Sequence, residues 1–339
     1  MVKKKVSKDK RQIAQMTLPV IYDETDVKQY AKQHWNITFA RQRKISVYAK
    51  RIMANVMAMI REDDLDLRPF YQMHISSVVP QTDSDFYDKV KKAFDELTDL
   101  KWLIEDIDTK YFIYRHLLDT SHTLKIDGFE CSYRDGIITI VLNRALKPYF
   151  IEIAHYTTYE LKYYMHFSSW YSLRMFEILA AFKDTGIWRV SIDEFRKLMD
   201  CEKKYLETKQ LLERVLAEPL EELGKTDLAF TYTQIEDKTV KGRGRKPIVA
   251  LEFKLKNVVA FEIPESWFEY SDAHKQVLLK LRSWKVTDTN IIRYAKVIGI
   301  EGANKLIYEW QLKGKEIQDK EKYCNAVWVR VGKLAADNK

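Results

Sequence analysis

Between two runs of alternating character, LAFTYTQI (228–235) and IVALEFKL (248–255), lie twelve residues, EDKTVKGRGRKP, that hold five cations and two glycines. Alternation of this kind has the period of a half-buried strand, so the flanking runs predict the two arms of a hairpin. The segment between them cannot enter a core, because buried ammonium and guanidinium groups would lose their hydration with no anion to replace it. It must be exposed. Its glycines let the backbone approach another surface closely, and its arginines offer forked donors matched to phosphate or to guanine edges. Lys241, Arg243, Arg245 and Lys246 are therefore candidate nucleic-acid contacts.

The hairpin follows a helical pattern, LETKQLLERVLAEPLEELG (206–224). At 100° per residue Leu212, Val215, Leu216, Leu220 and Leu223 gather on one side, which predicts the core face. Glu207, Gln210, Arg214, Ala217 and Glu221 then point outward, with Thr208 and Lys209 near the exposed start. These are base-reading and phosphate-binding chemistries. Pro219 removes one backbone hydrogen bond and is expected to kink or shorten the helix, at a cost of about 3 kcal/mol. Upstream, SIDEFRKLMD (191–200) sets Ser191 three residues before Glu194, the spacing of a capping box, and SWYSLRMFEILAAF (169–182) predicts a helix that Gly186 helps to end. Helices followed by a terminal hairpin make the winged helix-turn-helix order, in which the basic tip is the wing.

A similar order stands earlier in the chain. Residues 38–61 space Ile45, Tyr48, Ile52, Val56 and Ile60 as one amphipathic stripe with the cations mainly between them. FYQMHIS (70–76) predicts a short strand, 83–106 a helix with an acidic first turn, and 110–118 a further strand. ECSYRDGIITIVL (130–142) carries Asp135-Gly136 between alternating runs, a hairpin signal. Taken alone, that order also describes a small α+β domain of another kind. FDELTDLKWLIED and LEELGKTDLAFTY, which both pass from helix through Asp-Leu into a strand, hint at duplication. The expected fold is α+β and mainly helical: a basic arm (1–37), winged helices at 38–167 and 168–256, and a small helical extension at 257–339. Trp267, Trp284, Trp310 and Trp328 of the extension sit beside aliphatic residues at helical spacing and read as core.

Charge distribution supports a polyanionic partner. The net charge is +8, yet residues 1–11, 38–61 and 238–246 carry +5, +6 and +5, so the rest of the chain nets −8. Clustering of this kind is expected where phosphate is neutralised locally. The first-domain cluster adds Arg41, Arg43 and Lys44 as candidate DNA contacts.

Other classes fit poorly. Cys131, Cys201 and Cys324 lie far apart with no CxxC pair, which argues against a disulfide framework or zinc site and suits a reducing cytoplasm. No stretch approaches the roughly 18 apolar residues of a membrane span, and MVKKKVSKDKRQ lacks a signal peptide's apolar core. The seven histidines include no pair within two positions, so the metal site of a nicking enzyme is not expected. Gly224-Lys225-Thr226 imitates the end of a P-loop, but Pro219 stands where the earlier glycine is required and a strand follows in place of a helix; Gly224 reads as a helix C-cap. Neither an enzyme nor a cofactor is expected.

YSLRMFEILAAFKDTGIWRVSIDEFRKLMD, ERVLAEPLEELGKTDLAFTY, KGRGRKP and IVALEFKL together resemble the theta-type plasmid replication initiator family, most strongly over 168–256 and more loosely over 38–167. Tyr171 and Arg174 match its first-helix pattern, and Arg214, Val215, Leu216 and Pro219 a second. The resemblance implies two winged helices that straddle double-stranded DNA, bind repeated origin sequences as monomers and repress their own gene as homodimers. It implies base reading by Lys209, Gln210 and Arg214 and adds Thr208 and Arg174 to the DNA-contacting set; the position of the extension at 257–339 makes host initiator and helicase proteins candidate partners. Glu207 and Glu213 in the presumed reading helix depart from more basic members. A winged-helix transcriptional regulator with no replication role is the alternative, because fold alone does not separate the two.

Overall fold

The computed structural model describes residues 30–337 apart from 62–63, 80–84, 107–110, 121–129, 152–155, 238, 240–245, 258–271 and 315. Its first unit opens with β1 (Tyr30–His34), the single turn α1 (Trp35–Thr38) and α2 (Val47–Met59). The helix expected from residue 38 therefore starts later than expected. Its start is set by Ser46, whose Oγ accepts from the Ala49 amide at 3.2 Å while its own amide donates to Glu96 Oε2 at 2.6 Å. From Ala49 to Met59 every residue is buried, so α2 has no charged outer face. Lys50 and Arg51, counted as surface charge from the sequence, are each only 6% exposed.

After β2 (Tyr71–His74), α3 runs from Phe86 to Thr98 and stops. The stretch expected to continue it is instead β3 (Lys101–Asp106), paired antiparallel with β4 (Tyr111–His116). Pairing satisfies the same backbone groups that a longer helix would, and it brings Trp102 into the core at 3% exposure. The Asp135-Gly136 hairpin forms as expected between β5 (Ser132–Arg134) and β6 (Ile137–Ile140). Both turn residues have positive φ, 51° and 82°, as a type I′ turn requires. β6 also pairs with β2, giving the order β2-β6-β5. β7 (Tyr156–Glu160) pairs with β1, so residues 30–34, read from the sequence as part of an arm, belong to this unit. The single turn α4 (Leu161–Tyr164) follows.

The second unit follows α5 (Trp170–Ala181), which Ser169 caps; Gly186 (φ 70°) donates its amide to Phe182 O at 2.8 Å just beyond the helix end. The sequence reading passed over β8 (Ile187–Ser191). α6 (Ile192–Leu198) has the expected cap, Ser191 Oγ accepting from the Glu194 amide at 3.2 Å. Then come α7 (Thr208–Leu223), β9 (Phe230–Glu236) and β10 (Ile248–Leu255), with sheet order β8-β10-β9. Trp188 of β8 is fully buried and stacks on Phe253 of β10 at 4.8 Å. One continuous apolar core, from Ala31 to Leu255, runs through both units.

The extension has a core of its own, built from α8 (Asp272–Ser283), α9 (Asp288–Leu312) and α10 (Lys320–Asp337). Asn325 of α10 ties the others together: its Oδ1 accepts from the Thr287 amide at 3.0 Å and its Nδ2 donates to Lys285 O at 2.7 Å. Trp310 and Trp328 are buried in this core and Trp284 packs against it; Trp267 lies outside the described residues. Phe39 packs against both cores.

Candidate nucleic-acid interface

α7 buries Leu211, Leu212, Val215, Leu216, Pro219 and Leu223. Its apolar stripe is centred slightly differently from the sequence expectation: Leu211 is inside, while Leu220, expected in the core, is 38% exposed. The outward face keeps its expected members. Glu207, Lys209, Gln210, Glu213, Arg214, Ala217 and Glu221 are all exposed, and Thr208, the first helical residue, is half-buried. Lys209 and Glu213 pair at 3.9 Å across one helical turn, so Arg214 and Gln210 are the polar groups beside a partly neutralised lysine. Pro219 does not end the helix, which continues to Leu223 before Gly224 caps it.

The turn before α7 has a built-in brace. Arg196 of α6 donates to Lys204 O at 3.0 Å, Tyr205 O at 2.7 Å and Leu206 O at 2.9 Å. Asp200 and Tyr205 take positive φ, 52° and 54°, a conformation that side chains disfavour; at Tyr205 the three bonds from one guanidinium hold it in place. Lys203 and Lys204 stand exposed on this braced turn. The sequence reading passed over both lysines and Arg196; the only local signal was the Lys-Lys-Tyr between two helical patterns.

The β9–β10 hairpin is present, with Asp237 N donating to Pro247 O at 2.9 Å across its base. Lys241, Arg243 and Arg245 lie outside the described residues. Asp237 accepts from Thr239 Oγ1 at 2.7 Å and from the Thr239 amide at 2.8 Å. Those two bonds, with the nearby Lys246 charge, hold the Asp237 carboxyl below the usual carboxylate range.

Arg174 is not a DNA contact. It is fully buried on α5, donating to Glu177 Oε2 at 3.1 Å and to Ala40 O at 2.8 Å. A guanidinium with no exposed surface cannot reach a duplex, and its matched position in the family pattern here serves the buried packing of α5 against Glu177 and the Ala40 carbonyl. Glu177 also meets Lys50 of α2 at 2.9 Å and accepts from Tyr164 Oη at 2.6 Å. Burial alone would raise the Glu177 carboxyl, but Lys50, Arg174 and Tyr164 outweigh it and hold the group below its ordinary range. Burial pushes Lys50 down to about 8 against the opposing pull of Glu177.

Arg41, Arg43 and Lys44 are exposed, on the segment between α1 and α2, and this segment lies against the second unit. Arg41 forms an ion pair with Glu202, the Lys44 amide donates to Asp200 Oδ2 at 3.1 Å, and the Lys44 ammonium sits 4.3 Å over the Tyr171 ring. The basic cluster of the first unit is thereby placed beside the turn that leads into α7.

Residues 30–180 match the family model described as Initiator Replication protein, WH1, and residues 191–255 the one described as Initiator Rep protein, WH2. No curated protein matches. Among solved structures, the crystal structure of Pi initiator protein in complex with iteron DNA is similar in fold, with a TM-score of 0.52 and 18% identity over 67% of this chain and 97% of that one.

Proposed function

We propose that this chain, which belongs to the initiator replication protein family, starts replication of a plasmid by binding repeated double-stranded sequences at its origin. The observation that carries the reading is the exposed face of α7, where Gln210 and Arg214 stand beside Lys209 on a braced helix next to a hairpin of high positive charge. Gln suits adenine and Arg suits guanine in the major groove. The similar solved structure, Pi initiator protein in complex with iteron DNA, supports double-stranded DNA as the partner. The proposed role is recognition and assembly, with no bond made or broken by the chain itself. A homodimeric form that represses its own gene, and host initiator and helicase proteins recruited at the origin, complete the proposal. Among the described residues no helix is long and apolar enough to cross a membrane, in keeping with action on DNA in the cytoplasm.

Two winged helices reading successive major grooves on one face of the duplex span on the order of 20 base pairs. Titrating the full chain against a fragment carrying direct repeats, with stoichiometry from sedimentation, tests this. Stepwise occupancy of each repeat by monomers is the expected result. Binding confined to a single inverted promoter site would instead identify a transcriptional regulator.

A further inference from the structure

Segment 40–46 is held at almost every residue. Ala40 O accepts from Arg174; Arg41 pairs with Glu202; Gln42 is buried, its amide donating to Ile37 O at 2.8 Å and its Oε1 accepting from Lys50 at 2.6 Å. Lys44 bonds Asp200 through its amide, Ile45 is in the core, and Ser46 caps α2. Arg43 is the exception. It is exposed, and among the described residues it makes no hydrogen bond or ion pair.

Across from this segment is the braced α6–α7 turn, whose charges are three acids, Asp200, Glu202 and Glu207, and two lysines, Lys203 and Lys204. Alone the turn nets −1 and its acids would repel a phosphate. The first unit changes that balance, since Arg41 covers Glu202 and the Lys44 amide covers Asp200. With Arg41, Arg43 and Lys44 added, the surface nets +2.

We propose that segment 40–46 and the α6–α7 turn form one composite site for the DNA sugar-phosphate backbone, in which Arg43, Lys203 and Lys204 bind phosphate and Arg41 neutralises the acid that would oppose it. The site rests on the DNA-binding reading above and deepens it. It assigns two lysines of the second unit and an arginine of the first to the same stretch of backbone. The second winged helix therefore engages DNA fully only with the first docked against it. Phosphate contacts carry position and not sequence, so these residues serve cognate and random duplex alike.

The test uses the full chain, a repeat-containing duplex and a random duplex, with affinities read by fluorescence anisotropy at several salt concentrations. R43Q should weaken both complexes by a similar factor and reduce the logarithmic salt slope by about 1, and K203Q/K204Q by about 2. R41Q should weaken binding about threefold to tenfold by leaving Glu202 uncovered, and R41Q/E202Q should restore it; if the Arg41–Glu202 pair served only to hold the two units together, the double variant would stay as weak as the single one. Unchanged slopes in R43Q and K203Q/K204Q, or no recovery in R41Q/E202Q, overturns the composite site while leaving DNA binding intact. A wild-type chain that binds neither duplex overturns the DNA-binding reading and this site with it.

Discussion

The Lys50 ammonium on α2 lies 2.9 Å from Glu177 Oε1 on α5, and both side chains are shut away from water. Arg174 approaches the same carboxylate at 3.1 Å, so this junction holds one anion against two cations. The imbalance is tolerated because Gln42 Oε1 also accepts from Lys50, and Ala40 O from Arg174. The buried charge cluster fixes α5 against α2 within the apolar core that continues into the second unit.

The cluster predicts an asymmetry in stability. Glu177→Gln strands two buried cations and should cost about 3–5 kcal/mol, whereas Lys50→Met leaves Arg174 and Glu177 as a balanced pair and should cost less than about 1.5 kcal/mol. Chemical denaturation midpoints check this; equal losses would contradict the charge count.

Lys50 also predicts a pH dependence. Its folded pKa of about 8 lies below the ordinary 10.5, so between those values the unfolded chain binds more protons and stability rises with pH. Below pH 8 the full penalty of burying the charge is present. Relative to Lys50→Met, the wild type should gain about 2 kcal/mol between pH 7.5 and 9.5, measured by urea unfolding at each pH. A constant difference would show that Lys50 does not titrate in that window.

In α7, Arg214→Ala should cost about 1–3 kcal/mol on the cognate repeat and change random-duplex binding by no more than about threefold. Competition assays with both duplexes measure the ratio. Parallel losses would assign Arg214 to the backbone in place of a base.

For the hairpin tip, Arg243→Ala with Arg245→Ala should flatten the salt slope by about 2, from an expected −5 to −9 for six to ten phosphate contacts. Wild-type affinity across the salt series would remove the tip from the interface.

Within the extension, a methyl group at Gly332 would meet the Tyr294 ring at 2.3 Å. Gly332→Ala should therefore destabilise this three-helix core by about 1–3 kcal/mol through overpacking while leaving duplex binding by the winged helices unchanged. Separate thermal transitions for the extension and the rest of the chain would report it; an unaltered melting profile would mean that α9 and α10 separate readily.

Much of the architecture was legible in local pattern, for reasons visible at single residues. Asp135-Gly136 specifies its turn because only residues tolerant of positive φ close a two-residue hairpin, and Ser191 specifies a helix start because its hydroxyl satisfies an amide three residues on. The outward set Gln210, Arg214, Ala217 and Glu221 followed from helical geometry alone. Where pattern failed, a distant partner decided. Lys101–Asp106 reads both as the end of a helix and as a strand after Asp-Leu until Tyr111–His116 pairs with it, and Arg174, which the resemblance set among the DNA contacts, is enclosed by Glu177 and the Ala40 carbonyl.

The amino-acid order by itself determined the polar face of α7 and the two arms of the basic hairpin, because periodicity, caps and turn chemistry act over a few residues; the tandem winged-helix plan needed the family resemblance as well, since the order over 38–167 also suits another α+β domain. Only the tertiary structure decided which cations are buried and which meet solvent, and that the first unit's basic segment lies against the second unit's turn. Burial of a charge depends on a counter-charge more than a hundred residues away, as Lys50 depends on Glu177, and no local pattern records that distance.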